Sequence, residues 1–464
     1  MADPYDLIVV GGGPAGYVGA IRAAQLGLRT ALVEREKVGG TCLHVGCIPT
    51  KVLLHTAELL EEMRESAEMG IHADGVRLDY ARVQARKDRV VTTNFRGVEY
   101  LMRKHKITVV PGEGRLAGPA RVRVTGADGS AADLEAPHIL LATGSRPRSL
   151  PGVAIDNDRI LDSTGALRLP AVPRSIAILG AGAVGAEFAS VFAAFGAHVT
   201  LLELLPSILP LEDEEVAAVL AKSLQRRGVV IRTGTAVTGV ERAGDGVRVA
   251  VKAGDAAETL DAEYVLVAVG RAPLVEGLGL EAVGLEAGRG GLAVNARQQT
   301  AVPSIYAAGD VTGGLLLAHV GSAEAVVAVE AIAGQTPQPL DPNLMPRATY
   351  TIPQVASVGL TEKQARAEGH DVAVGRFPLT ANARATILGQ RDGLVKIVTD
   401  RGLGEILGIH LVGPLVTELL PEGVLGKSLE ATALELGQAV HAHPTLSEAL
   451  REAALGALGR ALHG

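Results

Sequence analysis

Apolar and glycine-rich segments follow one another in a fixed order near the start of the chain. Residues 6–10 have the composition of a buried strand, and the sequence Gly-Gly-Gly-Pro-Ala-Gly follows at 11–16. A helical pattern covers 17–26, and a second apolar strand at 30–33 leads directly to Glu34. This order of strand, glycine-rich turn, helix, strand and terminal acid predicts a dinucleotide-binding fold.

The same order occurs a second time further along the chain. An apolar strand at 176–179 precedes the glycine-rich turn at 180–185, and a helical pattern leads to a strand at 199–202 that ends at Glu203. The separation between the first glycine and the acid is identical in the two copies. The chain is therefore predicted to contain two related nucleotide-binding domains, the second inserted into the first.

The residue types shared by the two copies are those that dinucleotide binding requires. Glycines let the backbone approach a pyrophosphate, and the helix N-terminus offers free N–H groups and partial positive charge. The terminal acid accepts a hydrogen bond from a ribose hydroxyl, so Glu203 favours NAD over the 2′-phosphorylated NADP. The structural alternatives are a duplication without two ligands and a solvated acid at the end of a strand.

The only two cysteines, Cys42 and Cys47, lie just after the first nucleotide-binding motif. On a regular helix their Cα atoms would be about 8–9 Å apart, whereas a disulfide needs about 4.4–6.8 Å. A bridge would therefore require a distorted backbone, for which Gly46 offers the freedom. The alternatives are a redox-active dithiol and two buried, inert thiols.

Composition and charge narrow the class of protein. With 464 residues and 47% apolar content the chain can form several buried cores, and its net charge of -7 argues against nucleic acid as a main partner. No basic targeting segment precedes the first strand, so the cytoplasm is the expected location. Glycines, Glu187, His198 and Glu203 interrupt the apolar stretch at 176–205, so no membrane helix is predicted there. No metal site is predicted.

The C-terminal region has a different pattern, with alternating strands and then helices over 415–437. Its last part contains the sequence His-Ala-His-Pro-Thr-Leu-Ser-Glu at 441–448. Thr445 and Glu448 fit a helix capping box, while Glu448 could instead orient His443 as a proton-transfer pair; His441 is the weaker candidate. The predicted strands are 348–351, 372–377, 393–399 and 405–411.

With these residues assembled, the chain resembles the FAD-dependent pyridine nucleotide–disulfide oxidoreductases, and among them the dihydrolipoyl dehydrogenases. The resemblance runs nearly end to end. One departure is His44, where the family usually has Asn between the cysteines. The motifs that carry the resemblance are GGGPAGY, GGTCLHVGCIPTK, ATGSRP, GAGAVGAEF, VGRAP at 269–273, YAAGD at 306–310, LAHVGSAEA at 317–325 and HAHPTLSE.

The resemblance implies an α/β protein with two Rossmann-like dinucleotide-binding domains, for FAD and NAD, plus a C-terminal α+β dimerisation domain. The expected domains are 1–146 for FAD and the redox dithiol, 147–272 for NAD, 273–341 for a central domain completing the FAD site, and 342–464 for dimerisation. The active protein is expected to be a homodimer, with an isologous interface.

The resemblance also assigns cofactor-binding residues. Those expected at FAD are Gly11, Gly13, Gly16, Glu34, Lys51, Gly114, Thr143, Gly144, Ser145, Asp310, Leu317, Ala318 and His319. Glu187 is counted among the cofactor-binding residues as the partner of Lys51 beside the flavin. Those expected at NAD are Gly180, Gly182, Gly185, Glu203, Val237 and Gly270.

The implied catalytic residues are Cys42 and Cys47 as the disulfide, His443 with Glu448 as the base supplied by the partner subunit, and the Lys51–Glu187 pair. The expected reaction oxidises dihydrolipoyl groups and reduces NAD. The expected partner is a lipoyl-bearing acyltransferase or carrier protein of a 2-oxoacid dehydrogenase or glycine cleavage complex. The alternatives are a related disulfide reductase such as glutathione reductase, and a flavin-binding regulatory subunit.

Overall fold

The computed structural model describes residues 5–463, so the outermost ends of the first and last predicted domains lie outside it. The chain forms two compact units. Unit 1 contains residues up to 52, 84–148 and 270–340, and unit 2 contains 53–83, 149–269 and 341 onward. The predicted domain boundaries at 146, 272 and 341 stay a prediction.

The secondary structure follows in chain order. Residues 5–148 contain β1 (Leu7–Val10), α1 (Pro14–Gln25), β2 (Thr30–Glu34), α2 (Gly40–Val45), α3 (Cys47–Glu65), α4 (Tyr80–Lys104), β3 (Thr108–Pro111), β4 (Glu113–Gly118), β5 (Arg121–Thr125), β6 (Ala131–Glu135), β7 (His138–Leu141) and β8 (Ser145–Pro147). Residues 149–269 contain β9 (Ile160–Leu161), α5 (Ser163–Ala166), β10 (Ser175–Leu179), α6 (Ala183–Ala194), β11 (His198–Leu202), α7 (Glu214–Arg226), β12 (Val230–Arg232), β13 (Thr235–Ala243), β14 (Gly246–Ala253), β15 (Ala256–Ala262) and β16 (Tyr264–Val267).

The remaining elements complete both units. Residues 270–340 contain β17 (Arg271–Pro273), β18 (Ala287–Gly288), β19 (Gly291–Leu292), β20 (Ile305–Ala307) and α8 (Ala318–Ile332). Residues 341–463 contain β21 (Arg347–Thr349), β22 (Gln354–Gly359), α9 (Glu362–Ala367), β23 (Val372–Pro378), α10 (Ala383–Ile387), β24 (Leu394–Asp400), β25 (Ile406–Gly413), α11 (Val416–Ser428), α12 (Ala433–Gln438) and α13 (Glu448–Ala457).

Unit 1 is built on a parallel sheet with the strand order β20-β7-β1-β2-β3. β1 is buried along its whole length because both faces of a parallel sheet are covered, here by α1 and α8 on one side. The antiparallel sheet β4-β5-β6 packs on the other face through Leu116, Val122 and Val124. The short antiparallel ladder of β8 and β17 joins the two places where the chain leaves and re-enters this unit.

Unit 2 repeats the parallel arrangement with the strand order β12-β11-β10-β16-β9. Its helix α6 is apolar on almost every side, and the side chains of its own residues Phe188 and Phe192 are fully buried. The C-terminal part is a separate antiparallel sheet, β21-β22-β25-β24-β23, packed against α11, α12 and α13. The predicted α/β class, with two Rossmann-like folds and a C-terminal α+β region, is confirmed.

Several predicted elements have different bounds in the structure. The first helix begins at Pro14, three residues before the predicted start, because proline is well suited to the first turn of a helix. Strand β22 was not predicted, although it lies inside the C-terminal sheet. Among the described residues, none of the helices combines the length and the apolar character needed to cross a bilayer.

A buried cation connects the two parts of unit 2. The Lys396 side chain, on β24, is only 3% exposed and lies 2.9 Å from Asp213 at the N-cap of α7. It also contacts Glu215 at 2.6 Å and Glu362 at 2.9 Å. Burial opposes the charge, but these three carboxylates outweigh it and raise the pKa of Lys396. The charge is therefore held where the antiparallel sheet meets α7.

We expect Lys396→Met to lower the free energy of unfolding by about 3–5 kcal/mol, because it leaves the buried carboxylate of Asp213 without its cation. Urea unfolding followed by circular dichroism measures the loss. The matched control is Lys363→Met, which removes a solvent-exposed pair with Glu214 and should change the free energy of unfolding far less than Lys396→Met does. Equal effects of the two substitutions would contradict the role assigned to Lys396.

Candidate active site

The two cysteines form a disulfide in unit 1. Their Cα atoms are 4.6 Å apart, within the range that a disulfide requires. This is possible because the helix is interrupted: α2 ends at Val45, Gly46 has φ -142° and ψ -113°, and α3 begins at Cys47. A side chain at position 46 would come within 2.8 Å of the Thr41 carbonyl oxygen. The distortion expected at Gly46 is confirmed.

His44, between the cysteines, is fixed by the protein around it. Its Nε2 donates to the carbonyl oxygen of Val38 at 2.9 Å, since a carbonyl can only accept. Its ring meets Phe95 of α4 edge to face, with centroids 5.2 Å apart. The histidine therefore ties α2 to its neighbours without altering the spacing of the cysteines.

The first glycine-rich turn brings the start of α1 against the end of β1. A Cβ atom on Gly16 would lie 1.8 Å from the carbonyl oxygen of Gly11, so only glycine permits this contact. Gly11 itself has φ +101°, which favours glycine. Glu34 stabilises the turn, with one carboxylate oxygen accepting the N–H of Gly12 at 2.6 Å. The N-terminus of α1 thus faces the ends of β1 and β2, where an anion would be bound.

A cleft of about 100 Å³ opens at the ends of these strands. It is lined by Gly11, Glu34, Gly114 and Thr143, four residues that the family resemblance assigns to FAD. Gly114 is required here because a Cβ atom would lie 2.9 Å from Val10. The cleft is large enough for only part of a dinucleotide.

Unit 2 reproduces the same turn almost atom for atom. A Cβ atom on Gly185 would lie 1.9 Å from the Gly180 carbonyl oxygen, and Gly180 has φ +96°. Glu203 is 8% exposed, and its carboxylate accepts the N–H of Ala181 at 2.7 Å and that of Leu205 at 2.9 Å. The alternative of a solvated acid at a strand end is therefore wrong, because Glu203 is buried and bonded to the backbone.

The C-terminal motif forms a histidine–carboxylate pair. His443 Nδ1 lies 2.9 Å from Glu448 Oε1, and the histidine side chain is 72% exposed. The other oxygen of Glu448 accepts the N–H of Thr445 at 2.8 Å. Burial acts to raise the pKa of Glu448, but the hydrogen bond from the Thr445 amide and the interaction with His443 outweigh it, so this pKa is lowered. The carboxylate is therefore ionised at neutral pH and orients an accessible imidazole.

The capping-box hypothesis for Thr445 is half right. Helix α13 begins at Glu448 and its N-cap is Ser447, so Thr445 is not the N-cap. Only the bond from the Thr445 amide to Glu448 is of the expected kind. His441 is buried instead of accessible, with Nε2 2.8 Å from Glu422. Of the two histidines in this motif, His443 is thus the one exposed to solvent.

Comparison with known proteins identifies the family. The family model for pyridine nucleotide-disulphide oxidoreductases matches residues 5–325, and that for the family's dimerisation domain matches residues 345–454. The chain belongs to the pyridine nucleotide-disulphide oxidoreductase family. The resemblance expected from the sequence motifs is confirmed.

Relatives within this family match the chain over its full length. A dihydrolipoyl dehydrogenase of Bacillus subtilis is 46% identical, with all of both chains covered. Dihydrolipoyl dehydrogenase 3 of Pseudomonas aeruginosa is 47% identical, again with full coverage of both. Among solved structures, LpdA from Mycobacterium tuberculosis matches with a TM-score of 0.90 and 32% identity over 97% of this chain and 99% of the other.

The glycine-rich turns fit the FAD and NAD that this family uses. Gly13 and Gly182 both have φ near -68°, which alanine adopts easily. A Cβ atom on either would meet no protein atom within 4 Å. Packing does not explain these two glycines, whereas a ligand lying against the backbone at the helix N-terminus does.

Other expected site residues lie at the N-terminus of α8 and on β13. Leu317 is the N-cap of α8, followed by Ala318 and the exposed His319, and a Cβ atom on Gly321 would lie 2.9 Å from the Gly309 Cα. Val237 is half-buried on β13, beside a bulge. Their contacts with a cofactor stay predictions.

Some expected partners belong to different units. Lys51 is in unit 1, on α3, whereas Glu187 is buried in unit 2 and accepts the N–H of Tyr350 at 2.9 Å. Gly270 is in unit 1 and the other residues assigned to NAD are in unit 2. The Lys51–Glu187 pair and the place of Gly270 at the NAD site therefore stay predictions.

Two residues beside Asp310 were missed by the sequence analysis. Glu324 of α8 accepts the N–H of Gly309 at 2.7 Å. Burial, and then the neighbouring charge of Asp310, raise the pKa of Glu324 to about 7. Arg271 of β17 donates to Ser145 Oγ at 2.7 Å, and Ser145 in turn donates to Asp310. Neither Glu324 nor Arg271 belongs to a residue spacing that predicts a function, although both lie inside motifs that carry the family resemblance.

We expect Gly13→Ala to leave the fold intact but to weaken FAD binding, because the added methyl group enters the space beside the helix N-terminus. Gly182→Ala should raise the KM for NAD and leave FAD bound. FAD content and steady-state kinetics measure the two effects. Gly16→Ala is the control for a steric clash inside the protein, and it should lower the melting temperature. Unchanged cofactor binding in the first two variants would contradict the assignment.

Glu324 should make stability depend on pH. Its pKa in the folded protein is about 7 against an ordinary value of 4.5, so its contribution to stability is complete below pH 4.5 and is lost as pH rises through 7. Glu324→Gln keeps an acceptor for Gly309 without a charge. The variant should therefore gain stability relative to the wild type between pH 5 and 8, measured as the difference in melting temperature. A difference independent of pH would contradict the shifted pKa.

Proposed function

We propose that the chain oxidises dihydrolipoyl groups to lipoyl groups and reduces NAD to NADH, which is the activity of a dihydrolipoyl dehydrogenase. The observation that carries the proposal is the Cys42–Cys47 disulfide, which follows the complete dinucleotide-binding motif formed by β1, its glycine-rich turn, α1 and β2. The dihydrolipoyl dehydrogenases of Bacillus subtilis and Pseudomonas aeruginosa match the chain from end to end. Bound FAD supplies two-electron exchange between thiols and nicotinamide.

The chemical steps at sulfur can be assigned to residues of this chain. His443 removes a proton from one dihydrolipoyl thiol, and Glu448 stabilises the resulting imidazolium because it stays ionised. The thiolate attacks Cys42, breaking the bond to Cys47, which leaves as a thiolate. The second dihydrolipoyl thiol then attacks the mixed disulfide, forming the cyclic lipoyl disulfide and releasing Cys42, which takes up the proton of that second thiol. The substrate loses two electrons and the Cys42–Cys47 pair gains them.

The active site in this proposal is completed by a second copy of the chain. The dimerisation-domain match supports a homodimer. His443 and Glu448 belong to the last part of that domain, and the 72% exposure of the histidine leaves it available to a neighbouring subunit. We infer that each disulfide is served by the His443–Glu448 pair of the other subunit.

Glutathione reductase is the second candidate within the family. Its preference for NADP requires a site that accepts a 2′-phosphate. Glu203 opposes this, because a buried carboxylate at the ribose position repels a phosphate. The lipoyl reaction with NAD is therefore favoured.

The proposed substrate also implies a partner protein. We infer a lipoyl-bearing acyltransferase or carrier protein of a 2-oxoacid dehydrogenase or glycine cleavage complex, because the thiol substrate in this reaction is attached to another protein. The cytoplasm stays a prediction.

The decisive experiment is reduction of lipoamide by NADH, compared with reduction of oxidised glutathione by NADPH, on protein checked for bound FAD. We expect turnover only with the first pair. Cys42→Ser should abolish it while FAD remains bound, because the attacked sulfur is missing. Faster turnover with glutathione and NADPH would show that the proposed substrate is wrong, and also that Glu203 does not select NAD over NADP.

A separate experiment tests His443 as the base that removes the thiol proton. His443→Gln should lower lipoamide turnover by a factor of about 10²–10⁴, with FAD content and dimer mass unchanged. The control is His463→Gln, which changes another largely exposed histidine that lies beside a glutamate, Glu452, outside the proposed site. Near-normal turnover in the His443 variant would assign the proton transfer to another group.

A further inference from the structure

The carboxylate of Asp310 is held on one side by a two-residue relay. Ser145 Oγ donates its only hydrogen to Asp310 Oδ2. The same oxygen accepts a hydrogen bond from Arg271 Nε at 2.7 Å, and Arg271 Nη2 donates to the Ser145 carbonyl oxygen at 2.7 Å. Arg271 is therefore fixed to Ser145 by two bonds, and Ser145 is fixed to Asp310 by one.

The relay is electrostatically cooperative. A cation donating to a hydroxyl oxygen makes that hydroxyl a stronger donor to its own acceptor. The Arg271 side chain is 22% exposed and its Nε lies 3.8 Å from Asp310 Oδ2, so solvent screens the charge only in part. The guanidinium thus holds the Asp310 carboxylate in two ways, through the Ser145 hydroxyl and by direct attraction.

The relay begins in the ladder between β8 and β17. Ser145 is paired with Pro273, and Arg271 with Pro147. Further bonds close the ladder at both ends: the Arg148 amide to the Gly270 carbonyl at 2.9 Å, and the Leu274 amide to the Gly144 carbonyl at 2.9 Å. Because this ladder is anchored at each end, Arg271 and Ser145 have defined positions before any ligand arrives.

The opposite side of the same turn is held by α8. Glu324 accepts the amide of Gly309, the residue before Asp310, at 2.7 Å. Gly309 has φ +79°, and a Cβ atom there would lie 3.1 Å from that of Ala15 on α1. The backbone at Asp310 is therefore fixed by α8 and α1, and its side chain by β8 and β17.

We propose that Arg271 is a positioning residue that orients the Asp310 carboxylate through Ser145 and thereby sets how tightly the protein retains FAD. The inference rests on the proposed function, which needs bound FAD, and on Asp310 as one of the residues that the family resemblance assigns to that cofactor. Arg271 acts through the relay, so it needs no contact with the cofactor. The ladder through which the chain re-enters unit 1 thus contributes to the cofactor site.

The test is the rate of FAD release from the holoenzyme, followed by the fluorescence of free flavin at a temperature below unfolding. Arg271→Gln and Ser145→Ala should each accelerate release about 10- to 100-fold, the worth of one hydrogen bond to a charged group. Arg271→Lys should release FAD more slowly than Arg271→Gln, because it keeps the charge near Asp310. The matched control is Arg123→Gln, which breaks an exposed two-bond pair with Asp133 in the same unit and should leave release unchanged.

The double variant Arg271→Gln/Ser145→Ala decides whether the two residues act together. It should release FAD no more than about twofold faster than the faster single variant, because both changes break the same relay. The proposal would be overturned if the acceleration in the double variant equalled the product of the two single accelerations. It would also be overturned if Arg271→Gln released FAD at the rate of the Arg123→Gln control. Arg271→Lys releasing as fast as Arg271→Gln would overturn it as well. A wild-type protein that holds no FAD would instead overturn the proposed function.

Discussion

The whole structure depends on a backbone contact that only glycine allows. The first turn of α1 approaches the end of β1 so closely that a methyl group on Gly16 would overlap the Gly11 carbonyl oxygen, 1.8 Å away. This contact directs the helix N-terminus across the strand ends and thereby creates an anion site. The same contact between Gly185 and Gly180, at 1.9 Å, creates the second site. The same steric condition is thus met twice, once in each unit.

The redox centre depends on a second local condition. A continuous helix would hold Cys42 and Cys47 too far apart, and the interruption at Gly46 brings their Cα atoms to 4.6 Å. Because α3 begins at Cys47, the second cysteine lies at a helix N-terminus, where the dipole stabilises a thiolate. The geometry that closes the disulfide therefore also favours the leaving thiolate when it opens.

Much of the fold could be predicted because its signals are local. The strand, turn and helix of each nucleotide-binding fold lie within a few tens of residues, and their glycines and terminal acids are visible in the sequence. Strand β22 and the antiparallel sheets β4-β5-β6 and β13-β14-β15 were missed. The strands of these two sheets pair with their neighbours in sequence but expose many residues, which weakens their apolar pattern. Strand β22 is buried, and its pairing with β25 joins segments that are far apart in the chain. The start of α13 was misplaced because the Thr445 hydroxyl donates to the Ala442 carbonyl oxygen and does not cap the helix, so only the Glu448 half of the capping box forms.

The sequence by itself determined the chemistry: two cysteines five positions apart, two glycine-rich turns with their acids, and a histidine followed by a glutamate. Short spacings suffice for these features, because a turn or a helix brings such residues together whatever the rest of the chain does. Only the tertiary structure decided how the groups are held. Asp310 accepts a hydrogen bond from Ser145, which is 165 positions away in the chain. Ser145 accepts one from Arg271, which is 126 positions away. No local pattern encodes such contacts, since they form when sheet pairing brings distant strand ends together.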